Sequence, residues 1–147
     1  MRLFCRKAPL LLLCLFFACR DSTSPATIVR QFFLNDINGR ALPTYMVQTP
    51  GLTPVIVSGS LALDNTGRAA MTEHRIEFDG VETTRTVNYK YTLIGRQLVF
   101  EQLGSCPGTA MCAGPPVGTI SADGFGVGVD LYGSNTIVYN YRVLALE

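Results

Sequence analysis

Apolar and polar residues alternate along most of the chain after residue 27. Between Thr86 and Leu93, every odd position is apolar or aromatic and every even position is polar. The same period of two returns between Ile137 and Val143. A period of two places one set of side chains on each face of a half-buried β-strand. No helical periodicity of useful length interrupts this pattern, which therefore predicts an all-β protein.

Turn residues separate the alternating runs at short intervals. Asn38-Gly39, Asp79-Gly80 and Asp123-Gly124 are pairs that tolerate the positive φ angles of tight hairpins. Nine strands are predicted, at 28–34, 44–49, 55–63, 68–78, 83–93, 97–102, 117–121, 127–132 and 136–146. Short links favour an antiparallel meander, and closing it into a barrel removes the exposed edges. We expect one domain over residues 28–147, an antiparallel meander of about eight or nine strands closed into a small barrel.

One predicted strand breaks its own alternation. Ala69 and Met71 occupy odd positions, whereas Ile76 and Phe78 occupy even ones. If all four face the interior, the strand must contain an extra residue between the two pairs. The sequence therefore predicts a β-bulge or a bend near residues 73–75.

The first 18 residues have the pattern of an export signal. Arg2, Arg6 and Lys7 precede an apolar run from Ala8 to Ala18. This run is too short for a transmembrane helix, which needs roughly 20 apolar residues, but it suits the apolar region of a signal peptide. We expect residues 1–18 to form a signal-peptide helix that is removed on export.

The end of this signal resembles the lipobox of bacterial lipoproteins. Ala18 matches the small residue that precedes the lipidated cysteine, and Cys19 matches the cysteine itself. The resemblance implies a lipid on Cys19, a flexible tether over residues 19–27 and a place in the bacterial cell envelope, anchored to a membrane. The alternative is an ordinary signal peptide with a cysteine at its end by chance.

The balance of charged side chains indicates which kinds of partner to expect. Removal of residues 1–18 would leave 129 residues with nine basic and 11 acidic side chains, a balance of −2. Without a basic run, nucleic acid is not an expected partner.

Cys106 and Cys112 lie in one Gly/Pro-rich segment, where a local disulfide is expected in an exported protein. Free thiols and a zinc site are the alternatives, and the single histidine of the chain disfavours zinc.

Two further segments resemble small bacterial lipoproteins with lipocalin-like barrels. FFLNDINGRALP is similar to the aromatic first strand, Asn-Gly turn and Leu-Pro of such proteins. YTLIGRQLVFE is similar to their Y-x-x-x-G-x-x-L-x-F hairpin, carried here by Tyr91, Gly95, Leu98 and Phe100. The resemblance implies a lipocalin-like fold and an envelope location, and it implies no catalytic residue.

The sequence offers little catalytic chemistry. His74 is the only histidine, and no G-x-S-x-G elbow accompanies it. The segment GFGVGVDLYG lacks the glycine spacing of a dinucleotide loop. It predicts a strand with glycine on one face. The acids around one hairpin indicate a solvated face, or alternatively a weak cation site; they are Glu73, Glu77, Asp79 and Glu82. We expect no enzyme, no cofactor and no metal.

Aromatic side chains on the predicted inner faces form the candidate ligand site. They are Tyr89, Tyr91, Tyr139 and Tyr141. A barrel of about eight strands holds either packed side chains or one small ligand, and a chain this short favours the packed core. The expected function is a non-catalytic binding or interaction module that takes a small apolar ligand or an envelope protein, with residues 103–116 as a loop over the mouth. The alternative is a structural or assembly lipoprotein with a solid barrel.

Overall fold

The computed structural model describes residues 28–46, 53–103, 115–132 and 137–144. The expected signal peptide and tether lie outside these ranges, and so do Cys19, Cys106 and Cys112. No helix within the four ranges is long and apolar enough to span a membrane.

Ten strands form the described part of the chain. They are β1 (Ile28–Ile37), β2 (Arg40–Ala41), β3 (Thr44–Tyr45), β4 (Val55–Asp64), β5 (Arg68–Ile76), β6 (Glu82–Ile94), β7 (Gln97–Gln102), β8 (Val117–Ile120), β9 (Gly126–Asp130) and β10 (Val138–Arg142). β2 has no counterpart among the nine predicted strands, and the bounds of the other nine lie within about four residues of the predicted ones.

Eight of these strands close into an antiparallel barrel. β4 to β10 pair in chain order, β10 pairs with β1, and β1 pairs with β4 to complete the ring. β2 and β3 are short additions beside β1 and β4. Closure leaves the eight long strands with neighbours on both sides, which satisfies their backbone groups. The predicted closed meander is confirmed.

Local turn chemistry fixes the hairpins where the sequence predicted them. Asn38 and Gly39 both have positive φ, at 53° and 77°, because the two-residue link after β1 needs this conformation twice. Gly80 has a φ of 79° in the turn between β5 and β6, where its N–H donates to the carbonyl of Glu77 at 3.0 Å. These turns set the register of the strands that they join.

One cluster of apolar side chains occupies the middle of the barrel. Its fully buried large members are Tyr139, Tyr141, Phe32, Phe100, Ile37, Ile56, Leu61, Leu98, Val127 and Val129. Their positions follow the period of two, so that alternate residues of each strand point inward. Burial of this apolar area is the main stabilising contribution to the fold.

The predicted irregularity lies in β4 rather than in β5. β5 pairs with β6 from Arg68 to Ile76 without any shift of register. The shift occurs between Ile56 and Ser58 of β4, opposite residues 74 and 75. The placement of Ile76 and Phe78 on the inner face is wrong, because β5 keeps its odd residues inward; Phe78 is 64% exposed.

The barrel has two ends that differ in what they carry. We call the end where β1 begins the lower end; it holds the β4–β5, β6–β7 and β8–β9 turns. The upper end holds the connections β1–β4, β5–β6, β7–β8 and β9–β10. Residues 104–114 and 133–136 belong to two of these upper connections and lie outside the described residues.

Candidate functional site

The inner face of β5 changes from apolar to charged as the strand reaches the upper end. Ala69 and Met71 are core residues, and Glu73 and Arg75 continue the same parity. The neighbouring strand β6 places Arg85 directly opposite Glu73 and Thr83 opposite Arg75. Since the ladder has no shift here, these side chains start from the inner face of the barrel wall.

A chain of ion pairs and hydrogen bonds joins these residues. The Arg75 Nε lies 2.7 Å from the Glu77 Oε1, and the Arg75 Nη1 lies 3.9 Å from the Glu73 Oε2. The Thr83 hydroxyl donates to the Glu77 Oε1 at 2.9 Å. The side chains of Glu73, Arg75 and Glu77 are only 14%, 19% and 25% exposed. The wall therefore carries charge in a poorly solvated place, where electrostatic interactions are stronger than in water.

Two tyrosines of β10 share this interior with Glu73. Tyr139 and Tyr141 are 0% and 1% exposed, and their ring centroids lie 6.2 Å apart at 48°. Burial raises the pKa of both hydroxyls far above the ordinary value, and the negative charge of Glu73 raises it further. For Tyr139, a weak hydrogen bond with the Glu73 side chain acts in the same direction. Both tyrosines therefore stay protonated at any physiological pH.

Four buried polar atoms of this cluster make no hydrogen bond of ordinary geometry with the described residues. They are the hydroxyls of Tyr139 and Tyr141, the Oε2 of Glu73 and the Nε of Arg75. The Arg75 Nε is close to Glu77 but poorly aligned with it. A buried polar group without a partner costs about 1–3 kcal/mol. Their grouping at one place marks a site with unused hydrogen-bonding capacity.

Tyr89 and Tyr132 extend the cluster toward the core and the rim. The Tyr89 ring meets the Phe100 ring edge-on, with centroids 5.7 Å apart. Burial raises the pKa of Tyr89, the charge of Arg85 lowers it, and Glu73 and Tyr132 raise it again. Tyr132 is 46% exposed. We call this set of residues the charged mouth: Glu73, Arg75, Glu77, Thr83, Arg85, Tyr89, Tyr132, Tyr139 and Tyr141.

Tyr91, the fourth tyrosine of the predicted ligand site, lies apart from the charged mouth. Its hydroxyl donates to the carbonyl oxygen of Asp64 at 2.9 Å, at the β4–β5 turn of the lower end. Its pKa is raised by burial and then by the charge of Asp64. The structure thus brings together Tyr89, Tyr139 and Tyr141 and gives Tyr91 a local hydrogen bond instead.

The acids of the β5–β6 hairpin divide between the two faces of the sheet. Glu73 and Glu77 are mostly buried and contact Arg75, so the expectation that they belong to a solvated face is wrong. Glu82 is exposed and lies 3.5 Å from the Nε2 of His74. His74 itself is half exposed and shares a hydrogen bond with the Thr84 hydroxyl at 2.9 Å. Among the described residues, no group of His, Cys, Asp or Glu is arranged to hold a metal ion.

Sequence reasoning missed the inward direction of Glu73 and Arg75. The signal was present, because strict alternation from Ala69 and Met71 leads directly to positions 73 and 75. It was overridden by the assumption that Ile76 and Phe78 had to be inside.

The charged mouth combines aromatic rings with carboxylates, guanidinium groups and phenol hydroxyls, which are groups that can hold a polar ligand by hydrogen bonds and charge. Comparison with protein-family models, with curated proteins and with solved structures finds no match for this chain.

Proposed function

We propose that this chain is an exported, lipid-anchored lipoprotein of the bacterial cell envelope that acts as a non-catalytic binding module. Its ligand is a small molecule with an apolar ring and a head that donates hydrogen bonds, held at the charged mouth. The observation that carries this proposal is the group of four buried polar atoms that make no hydrogen bond of ordinary geometry with the described residues.

The chemistry of the mouth favours a cationic head on this ligand. The Glu73 Oε2 is a buried acceptor, while Arg75 is already 2.7 Å from Glu77. Tyrosine faces attract cations through their ring quadrupole, and the effect strengthens where water is excluded. A protonated amine would therefore meet the Glu73 carboxylate and, at the rim, the half-exposed ring of Tyr132.

Saturation-transfer NMR on the purified full-length protein tests this proposal with two probes. Benzylammonium and benzoate share a ring and differ in the sign of their charge. We expect saturable binding of benzylammonium, weakened about tenfold or more in Glu73→Gln because a hydrogen bond to a charged group is lost. Asp64→Asn is the matched control, since it removes a carboxylate at the lower end.

The outcomes separate the binding module from a solid barrel. Equal loss of benzylammonium binding in Glu73→Gln and Asp64→Asn would place the site elsewhere. Binding of neither probe by the parent protein would contradict a ligand site and favour the structural or assembly role. Thermal unfolding of each variant checks that the barrel remains folded.

The lipid anchor is tested separately at the cysteines of the leader. Cys19→Ser should lose the acyl mass and leave the membrane fraction, or remain as an uncleaved precursor. Cys14→Ser changes a cysteine inside the apolar run and should behave like the parent protein. Normal acylation of the Cys19→Ser protein would contradict the proposed anchor.

A further inference from the structure

Large exposed apolar side chains occur at both ends of the barrel, and six of them lie at the lower end. Those of the upper end are Tyr45, Phe78, Val81, Leu103 and Tyr132. Ile94, Phe125 and Leu144 are 62%, 64% and 62% exposed, which is unusual for such large apolar residues. We call the whole set the apolar rim: Val29, Leu93, Ile94, Phe125, Val143 and Leu144. They come from four separate parts of the chain, so their shared location is a product of the fold.

Hydrogen bonds tie these parts of the chain into one edge. The Val143 N–H donates to the Phe125 carbonyl at 2.9 Å, which places the end of β10 against the β8–β9 turn. The Arg30 guanidinium donates to the carbonyl of Gly124 at 3.1 Å and so joins the start of β1 to the same turn. These bonds place Val29, Phe125 and Val143 on one side of the lower end.

The β6–β7 turn extends this edge through a third contact. The Arg96 Nε donates to the Ile120 carbonyl at 2.9 Å, and the Ile120 N–H donates back to the Arg96 carbonyl at 2.8 Å. Ile94, two residues before Arg96, thereby lies on the same edge as the β8–β9 turn that carries Phe125.

Basic side chains outnumber acidic ones among the described residues of the lower end. Four arginines lie among the described residues of the lower end: Arg30, Arg68, Arg96 and Arg142. Two carboxylates oppose them, Asp64 and Asp123, and both accept hydrogen bonds from their own turns. The hydroxyl of Ser121 donates to Asp123, and this bond lowers the pKa of Asp123 most. The β5–β6 turn at the upper end instead carries Glu77, Asp79 and Glu82.

The number of residues between Cys19 and β1 limits how far the barrel can lie from the proposed anchor. β1 begins at Ile28, nine residues after Cys19. Nine residues span at most about 30 Å when fully extended. The upper end is farther from Ile28 by the length of β1, whose ten residues cover about 33 Å. A lipid on Cys19 would thus hold the lower end, rather than the upper end, beside the membrane.

We propose that the apolar rim docks on the anionic lipid surface that holds the anchor. Phe125, Ile94 and Leu144 enter the interface between headgroups and acyl chains, and the arginines of the lower end pair with headgroup phosphates. The charged mouth then faces away from the membrane, toward ligands in solution. This inference rests on the proposed lipid anchor for its orientation and goes beyond it by assigning a membrane-contacting surface to the barrel itself.

Two single-tryptophan variants test the docking. The chain contains no tryptophan, so Phe125→Trp and Phe78→Trp each introduce one reporter. Phe125 and Phe78 are both 64% exposed and lie at opposite ends of the barrel, which makes them a matched pair. The full lipidated protein is placed in vesicles of phosphatidylcholine and phosphatidylglycerol with brominated acyl chains, which quench indole on contact.

We expect Phe125→Trp to lose most of its emission in brominated vesicles and to shift to shorter wavelength. Phe78→Trp should keep the emission that it has in unbrominated vesicles. Quenching of neither residue in protein that floats with the vesicles and carries acyl chains would overturn the docking alone. Quenching of both residues would also overturn it, because the barrel would then lie on its side.

Mass analysis of the same samples separates docking from anchoring. Protein that floats without acyl mass and is quenched at position 125 would support the docking and contradict the anchor. Protein that does not float with the vesicles at all would overturn both proposals.

Discussion

The two ends of this barrel are built from the same eight strands but differ in how their buried polar groups are satisfied. Turn carboxylates accept bonds from their own turns at both ends, as Asp36 and Asp79 do at the upper end. At the lower end, Asp64 and Asp123 accept bonds from nearby N–H and hydroxyl groups, and Tyr91 donates to a carbonyl. At the upper end, the Glu73 Oε2 and two tyrosine hydroxyls are buried and make no hydrogen bond of ordinary geometry. Such groups cost stability, so the upper end should be the less stable part of the barrel when no ligand is bound.

The largest expected effect distinguishes a packed interior from an open one. Tyr141→Ala should cost about 3–5 kcal/mol of unfolding free energy, because it removes a fully buried ring from the core. Tyr91→Ala, at the lower end, should cost clearly less because its ring is only partly buried. Urea unfolding followed by circular dichroism measures both. A small, similar loss in the two variants would mean that the interior around Tyr141 is open.

Alkaline pH should lower the free energy of unfolding through two buried tyrosines of the upper end. Tyr139 and Tyr141 hold their protons more tightly in the folded protein than in the unfolded chain, where the ordinary pKa is 10.0. Their contribution is therefore complete below pH 10 and is lost as the pH rises above it, by about 1.4 kcal/mol per pH unit for each tyrosine.

The double variant Tyr139→Phe/Tyr141→Phe keeps both rings and removes both titrating groups. Thermal unfolding between pH 9 and 11.5 should show a flatter pH profile for it than for the parent protein. Tyr45→Phe, which removes a hydroxyl from an exposed ring, serves as the control. An unchanged alkaline limit in the double variant would show that these hydroxyls are not buried in the folded state.

Removal of a single hydroxyl should change stability in opposite directions at the two ends. Tyr91→Phe loses the bond to the Asp64 carbonyl and should destabilise by about 1 kcal/mol. Tyr141→Phe removes a buried hydroxyl that makes no hydrogen bond with the described residues and should be neutral or stabilising by about 1 kcal/mol. Urea midpoints at neutral pH give both values. A loss of stability in Tyr141→Phe would show that this hydroxyl has a partner in the protein.

Acid pH should lower the stability of the protein through Asp64 at the lower end. This effect should be the smallest of the four. Hydrogen bonds from its own turn, first the Arg68 N–H, lower the pKa of Asp64 below the ordinary value of 3.8. The stabilisation is present above pH 3.8 and is lost as the pH falls through the lowered pKa. Asp64→Asn should therefore flatten the acid limb of the stability profile, and Glu82→Gln, at the exposed upper hairpin, is its control. Identical acid limbs in the two variants would contradict this role of Asp64.

Much of the fold could be predicted because it depends on short-range pattern. Alternation located the strands, and Asn38-Gly39 and Asp79-Gly80 located turns with the expected positive φ angles. The inward direction of Tyr139 and Tyr141 followed from parity alone. Closure of the barrel followed from the need of a meander to pair its edges.

The candidate site could be predicted only in part, since it depends on register between distant strands. β10 and β5 lie far apart in the sequence, and only the closed ring brings Tyr139 and Tyr141 within reach of the charge of Glu73. The same closure separates Tyr91 from them, although it follows Tyr89 by two residues in β6. Parity says which face a side chain occupies and does not say how far along the barrel it lies.

The sequence by itself determined the strands, their turns and the inner set of rings, because these depend on interactions between residues close in the chain. Tertiary structure alone decided that β5 remains in register, so that Glu73 and Arg75 face inward while Ile76 and Phe78 face out. It also decided that Val29, Ile94, Phe125 and Leu144 share one end. The physical reason is the ladder between neighbouring strands: continuous pairing with β6 outweighs the preference of two apolar side chains for the interior.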